Sequence, residues 1–160
     1  MTEKRVTLVG ATGMVGGLVL RYALSDSAVG SVTSIGRKTT GVGHPKLREI
    51  EHLDFTDFHS IEAELGEQDV ALFCLGAYTG SVPDDEFRTI TVDYTVAFAQ
   101  ALFKSSPGAA FCLLSGAGAD QTETSRISFA RYKGMAENAL LAVGFPRVHI
   151  FRPGYIYPVT

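Results

Sequence analysis

Several patterns that announce common protein classes are scarce or missing in this sequence. It has two cysteines, Cys74 and Cys112, each inside an apolar strand-like run where cysteine behaves as a small hydrophobe. They stand too far apart for a close-set metal or redox motif, and both are read as reduced and structural. The four histidines, His44, His52, His59 and His149, have no metal-ligand spacing, so no metal is predicted and the rings are expected to be solvated or internally satisfied. No apolar stretch reaches membrane-spanning length. Met1-Thr2-Glu3-Lys4-Arg5 leads into a strand rather than a signal peptide, and a soluble, cytoplasmic protein is the expectation. Positive charge is not in excess either. A net charge of −3 and a pI near 5.8 provide no broad basic field, which argues against a nucleic-acid partner. There is no internal repeat, low-complexity tract or domain linker.

What is present is globular in composition. The 160 residues are 46% hydrophobic and 19% charged, enough for a good core in a single domain spanning 1–160. The most informative stretch is Val6-Thr7-Leu8-Val9-Gly10-Ala11-Thr12-Gly13-Met14-Val15-Gly16-Gly17. A short apolar run meets glycines spaced three apart, and the apolar residues from Met14 to Leu24 then recur at helical spacing. This predicts a strand, a tight turn and a helix. The first N–H groups of such a helix are unpaired at the positive end of its dipole and suit a phosphate. Gly10 would permit the sharp turn, Gly13 the approach of a pyrophosphate, and Gly16 close packing of helix on strand, while Thr12 adds a hydroxyl. The G-x-x-G-x-x-G spacing is one residue wider than the G-x-G-x-x-G fingerprint, so the match is by mechanism.

Further strands are expected at 31–36, 47–53, 70–75, 109–114 and 147–151. Helical stretches are expected at 58–65, 84–105 and 128–143. Strands alternating with helices imply right-handed crossovers and a doubly wound parallel sheet of the Rossmann type, in strand order 3-2-1-4-5-6. A ligand in such a sheet binds beyond the carboxyl ends of the strands. At the end of the second strand, where an acidic residue would favour NAD, stand Gly36-Arg37-Lys38. Two cations and no acid favour the 2′-phosphate of NADP over NAD, with Arg37 able to bind it in a bidentate fork. Asp54 and Phe55, after the third strand, are placed to hydrogen-bond and border the adenine. Leu75, Gly76 and Ala77, after the fourth, would let the cofactor pass close to backbone.

Gly10-Ala11-Thr12-Gly13-Met14-Val15-Gly16, Gly36-Arg37, Asp54-Phe55, Cys74-Leu75-Gly76, Leu113-Leu114-Ser115 and Arg152-Pro153-Gly154 together resemble the atypical short-chain dehydrogenase/reductases. Among these the sequence looks most like the small NAD(P)H-binding branch that includes the Tat-interacting-protein relatives. The resemblance implies an oxidoreductase acting on a carbonyl or alcohol, with Pro153 and Gly154 beside the cofactor. It also implies a serine at the end of the fifth strand and a Tyr-x-x-x-Lys pair on the next helix. Ser115 and Lys133 match. Four residues before Lys133, however, stands Phe129, which has no proton to exchange.

On this reading Ser115 would polarise a substrate oxygen, Lys133 would hold the nicotinamide ribose, and another group would supply the proton. Tyr78 is one candidate and Tyr155 another; Tyr132 is turned about 100° from Lys133 around the helix. Relatives usually continue past Arg152-Pro153-Gly154 into a segment that closes over substrate. The expectation is therefore a minimal member or a chain without its substrate-defining part, and the substrate is not identified. A non-catalytic NADP(H)-dependent binding or regulatory module is the alternative, and a sugar-nucleotide epimerase a weaker third. The long apolar helices leave room for a homodimer.

Overall fold

The computed structural model describes residues 2–158. Six strands form one sheet: β1 (Lys4–Val9), β2 (Val29–Gly36), β3 (Leu47–Glu51), β4 (Val70–Phe73), β5 (Ala110–Leu114) and β6 (Arg147–Phe151). All five neighbouring pairs are parallel, in the order β3-β2-β1-β4-β5-β6. This is the doubly wound order expected from the sequence. Helix α1 (Met14–Ser25) crosses from β1 to β2, α2 (Asp84–Arg88) and α3 (Tyr94–Ser105) lie between β4 and β5, and α4 (Ser128–Val143) joins β5 to β6.

The two faces of the sheet are covered by different helices. Val6, Leu8 and Val32 pack with Leu20 and Leu24 of α1. On the opposite face, Val9, Ile35, Phe73 and Phe111 pack with Phe98 and Leu102 of α3 and Leu140 of α4. Central strands are thus buried on both sides, as their continuous apolar runs require. The edge strand β6 instead alternates between exposed and partly buried positions.

Three local departures from the sequence reading have physical causes. Strand β3 ends at Glu51, not Leu53, because its pairing partner β2 ends at Gly36. Beyond it, Nε2 of buried His52 donates to the carbonyls of Asp54 and Asp57, at 2.6 and 2.8 Å, and turns the chain away. The stretch expected to be helical at 58–65 is a 3₁₀ helix, His59–Leu65, whose Ile61 leaves helical dihedrals (φ −118°, ψ 17°). Such short connectors tolerate the tighter winding. Between α2 and α3 the backbone takes a π turn at Thr89–Asp93, where four successive β-branched residues, Thr89-Ile90-Thr91-Val92, crowd a normal α turn.

Candidate cofactor and active site

Between β1 and α1 the glycine turn has the geometry that its spacing foretold. Gly10 sits at φ +93°, and a Cβ there would overlap the backbone of Cys74 and Leu75 at the end of β4. A Cβ on Gly16 would overlap the carbonyl of Gly10, so α1 can lie this close to β1 only with glycine. Gly13 begins the helix with no side-chain cap, and the first turn carries no acidic residue. The leading N–H groups are therefore left for an external acceptor.

The turn opens on two adjoining clefts that share Ala11 and Thr12. One, of about 470 Å³, is bounded by Gly10, Arg37, Lys38, Leu53, Phe55 and Leu75. The other, of about 500 Å³, runs past Gly13 and Met14 to Arg21 and Thr40. Residues from the ends of four strands, β1 to β4, expected separately to meet a dinucleotide, thus line the first of these clefts. Among the described residues, no acidic side chain lines the cleft that holds Arg37 and Lys38.

Other sequence candidates stand differently. Phe55 is 3% exposed and packs against His52, Phe58 and Tyr94, so it backs the cleft wall. Exposed Leu53, unmarked in the sequence reading, offers the free apolar surface there. The Asp54 carboxylate accepts from the hydroxyl and N–H of Thr56, which hold its pKa below the ordinary carboxylate value. Gly76 is exposed, whereas Ala77 packs toward Phe87 and Tyr132. Val15 is partly buried on α1. Pro153 and Gly154 lie past β6, where the Pro153 carbonyl accepts from the Ala117 N–H at 3.0 Å. Tyr78 and Tyr155 project into solvent, 74% and 70% exposed.

At the end of β5 the structure assembles a cluster only half legible in the sequence. Phe129, Lys133 and Glu137, spaced four apart, share one face of α4. The Phe129 ring lies on Gly116, where a Cβ would collide with it. Ser115 is buried, and its hydroxyl donates to Glu137 Oε1 at 2.6 Å. The hydrogen expected to polarise a substrate oxygen is therefore committed to Glu137 in this arrangement. Glu137 is fully buried and also accepts from Gln121 Nε2 at 2.9 Å and from Nε and Nη2 of Arg152 at 2.9 and 2.5 Å. Burial alone would raise its pKa, but hydrogen bonds from Arg152, Ser115 and Gln121, with the charge of Arg152, hold it below the ordinary range.

Lys133 lies partly buried between the other two, its Nζ 5.8 Å from the Phe129 ring centre. Burial lowers its pKa, against the pull of Glu137. Tyr132, on another face of the helix, donates to Asp84 Oδ2 at 2.6 Å and is thereby occupied. The sequence reading had no role for Glu137, Gln121 or Arg152. One signal was available: a glutamate on the same helix face as Leu140 and Phe129 would have to meet a cation, and Arg152 follows the next strand.

No family model matches the chain. Protein HTATIP2 of Rattus norvegicus is 29% identical over 158 residues, covering 98% of this chain and 64% of its own length. Protein fmp52, mitochondrial, of Aspergillus niger is 31% identical over 157 residues, covering 94% of this chain and 66% of its own length. The chain thus spans slightly under two thirds of these relatives. Among solved structures, a short chain dehydrogenase from Burkholderia cenocepacia in complex with NADP has a TM-score of 0.78 at 17% identity, covering 98% of this chain and 74% of its own. The Bordetella bronchiseptica enzyme WbmG in complex with NAD has a TM-score of 0.74 at 18% identity, over 94% of this chain and 53% of its own. Among the described residues no helix is long and apolar enough to cross a membrane. The glycine turn, the strand order and these comparisons agree: the chain is similar to HTATIP2 and fmp52 over nearly its whole length, and it has the fold of short-chain dehydrogenases solved with NAD or NADP.

Proposed function

We propose that the protein binds NADP(H) and works as an oxidoreductase on a carbonyl or alcohol. The observation that carries the cofactor choice is the pairing of Arg37 and Lys38 with the glycine turn around one cleft that, among the described residues, has no acidic lining residue. A 2′-phosphate there would gain charge-assisted hydrogen bonds, while a free 2′-hydroxyl would find no carboxylate to accept from it. The uncapped start of α1 would take the pyrophosphate, and Lys133 the nicotinamide ribose. When bound, the dinucleotide supplies or accepts the hydride, and everything else falls to the chain. Leu53 and Phe55 bound the adenosine end, and the Ser115 cluster stands at the carboxyl end of β5, two strands from the glycine turn.

A second reading, an NADP(H)-dependent binding or regulatory module without turnover, is favoured by Phe129 and by the engagement of the Ser115 hydroxyl with Glu137. Titration of NADPH and NADH against the wild type and Arg37→Ala tests the cofactor choice. Loss of charge-assisted hydrogen bonds costs about 1.5–3 kcal/mol, so NADPH should weaken roughly ten- to hundredfold in the variant while NADH changes little. Equal affinities, unmoved by the substitution, would remove the 2′-phosphate assignment.

A further inference from the structure

A carbonyl reduced in this site needs a proton as well as a hydride, and the groups around the end of β5 differ sharply in what they can give. Phe129 has no exchangeable hydrogen. The Ser115 hydrogen points to a fully buried carboxylate 2.6 Å away, so its oxygen is left as an acceptor only. Tyr132 is bound to Asp84 at 2.6 Å, and Tyr78 stands 74% exposed in the loop after β4. Lys133 is different. It lies on the same helix face as Phe129 and Glu137, one turn from each, and among the described residues it makes no hydrogen bond or ion pair. Its charged neighbours are Glu137 on its own helix and, behind that carboxylate, Arg152 after β6.

We propose that Lys133, one helical turn from the protonless Phe129 ring and one from the Glu137 that already holds the Ser115 hydroxyl, donates the proton to the substrate oxygen during reduction. This rests on the reading of the site as an NADP(H)-dependent oxidoreductase. The electron balance is simple. A hydride from the reduced dinucleotide forms the new C–H bond, the C=O π pair takes a proton from Nζ to form O–H, and the neutral amine regains its proton from water. The acidity suits the task, because burial has already lowered the lysine pKa toward the range in which an amine gives up its proton. Phe129 would act as the apolar floor that keeps water from competing, and Glu137 would limit the fall in pKa so that the amine starts out charged.

Lys133→Arg separates proton donation from ribose binding, since arginine keeps the charge and the hydrogen bonds but does not deprotonate. The expected result with NADPH and a panel of aldehydes and ketones is a fall in turnover of at least about a hundredfold, as for loss of a general acid. NADPH affinity, read by cofactor fluorescence, should stay within about threefold because the cationic hydrogen bonds remain. In the cofactor-free protein, ¹³C NMR of lysine side chains should show one amine, absent in the variant, titrating below the exposed lysines. An arginine variant as active as the wild type, a Lys133 amine titrating with the exposed ones, or turnover lost in Tyr78→Phe would each overturn the assignment. Wild-type protein that binds NADPH but reduces none of the panel would overturn it too, leaving the cofactor reading in place. Failure to bind NADPH would instead remove that underlying reading.

Discussion

Glu137 brings a full charge into a place without water, and four protein hydrogen bonds from three residues keep it there. Such a group is asymmetric under mutation. Glu137→Gln leaves Arg152, itself 41% exposed, able to hydrate, and the amide still fills the space. That change should cost about 1–3 kcal/mol, the usual penalty for disturbing a buried hydrogen-bonded group. Arg152→Met leaves the carboxylate buried without its ion-pair partner, and should cost more than the Glu137 change. Urea unfolding of the two variants checks the order; equal midpoints would mean that the ion pair contributes no more than its hydrogen bonds. Residue by residue, the sequence exposed the glycines and cations, whose chemistry is local. It could not reveal that Ser115 and Glu137 meet, because 22 residues and a strand-to-helix turn separate them.

At the scale of elements, the turn from β1 into α1 gives two glycines different jobs, and substitution can separate them. Gly16→Ala drives a methyl into the Gly10 carbonyl, so α1 must lift from β1. A loss of about 1–3 kcal/mol is expected from such overpacking, with cofactor binding lost as well. Gly13→Ala meets only Gly10 O at 3.4 Å, at φ −80°, so stability should drop only by the cost of alanine at an N-cap, about 1 kcal/mol or less. The methyl would nevertheless stand where a pyrophosphate must approach, and dinucleotide affinity should fall tenfold or more, by roughly 1.4 kcal/mol. Thermal unfolding and NADPH titration on both variants make the comparison. Element types were largely legible: α4 runs Ser128–Val143 and β6 Arg147–Phe151, as their apolar spacing foretold. The π turn at Thr89–Asp93 was not, because apolar periodicity does not register one extra residue in a turn. There Thr91 Oγ1 is buried without a hydrogen-bond partner among the described residues.

For the whole molecule, the order β3-β2-β1-β4-β5-β6 brings the glycine turn, Arg37 and Leu75 to one cleft and leaves β6 at an edge. Arg152, just after that edge, reaches back to α4 and closes the sheet on this side. The closure carries a pH dependence. Because the folded pKa of Glu137 lies below its ordinary value, its contribution to stability is complete above the unfolded glutamate pKa of about 4.3. It drains away as pH falls through the lower, folded value. Denaturant midpoints measured from pH 7 downward should therefore decline less steeply in Glu137→Gln than in the wild type. Parallel curves would show that the network does not drive acid unfolding.

What the sequence determined by itself was whatever depends on neighbours along the chain: the alternation of strands and helices, the sterics of the glycine turn, and the two cations at the end of β2. These follow from backbone dihedrals, apolar period and local charge, and they suffice for the fold and for a dinucleotide-sized cradle. Only the tertiary structure decided where the Ser115 proton goes, that Glu137 is paired with Arg152, and that Lys133 is left partly buried near the Phe129 ring with no hydrogen bond or ion pair among the described residues. Those outcomes depend on which side chains exclude water together. Burial and charge pairing act across space, between strand ends and a helix that no local pattern ties to one another.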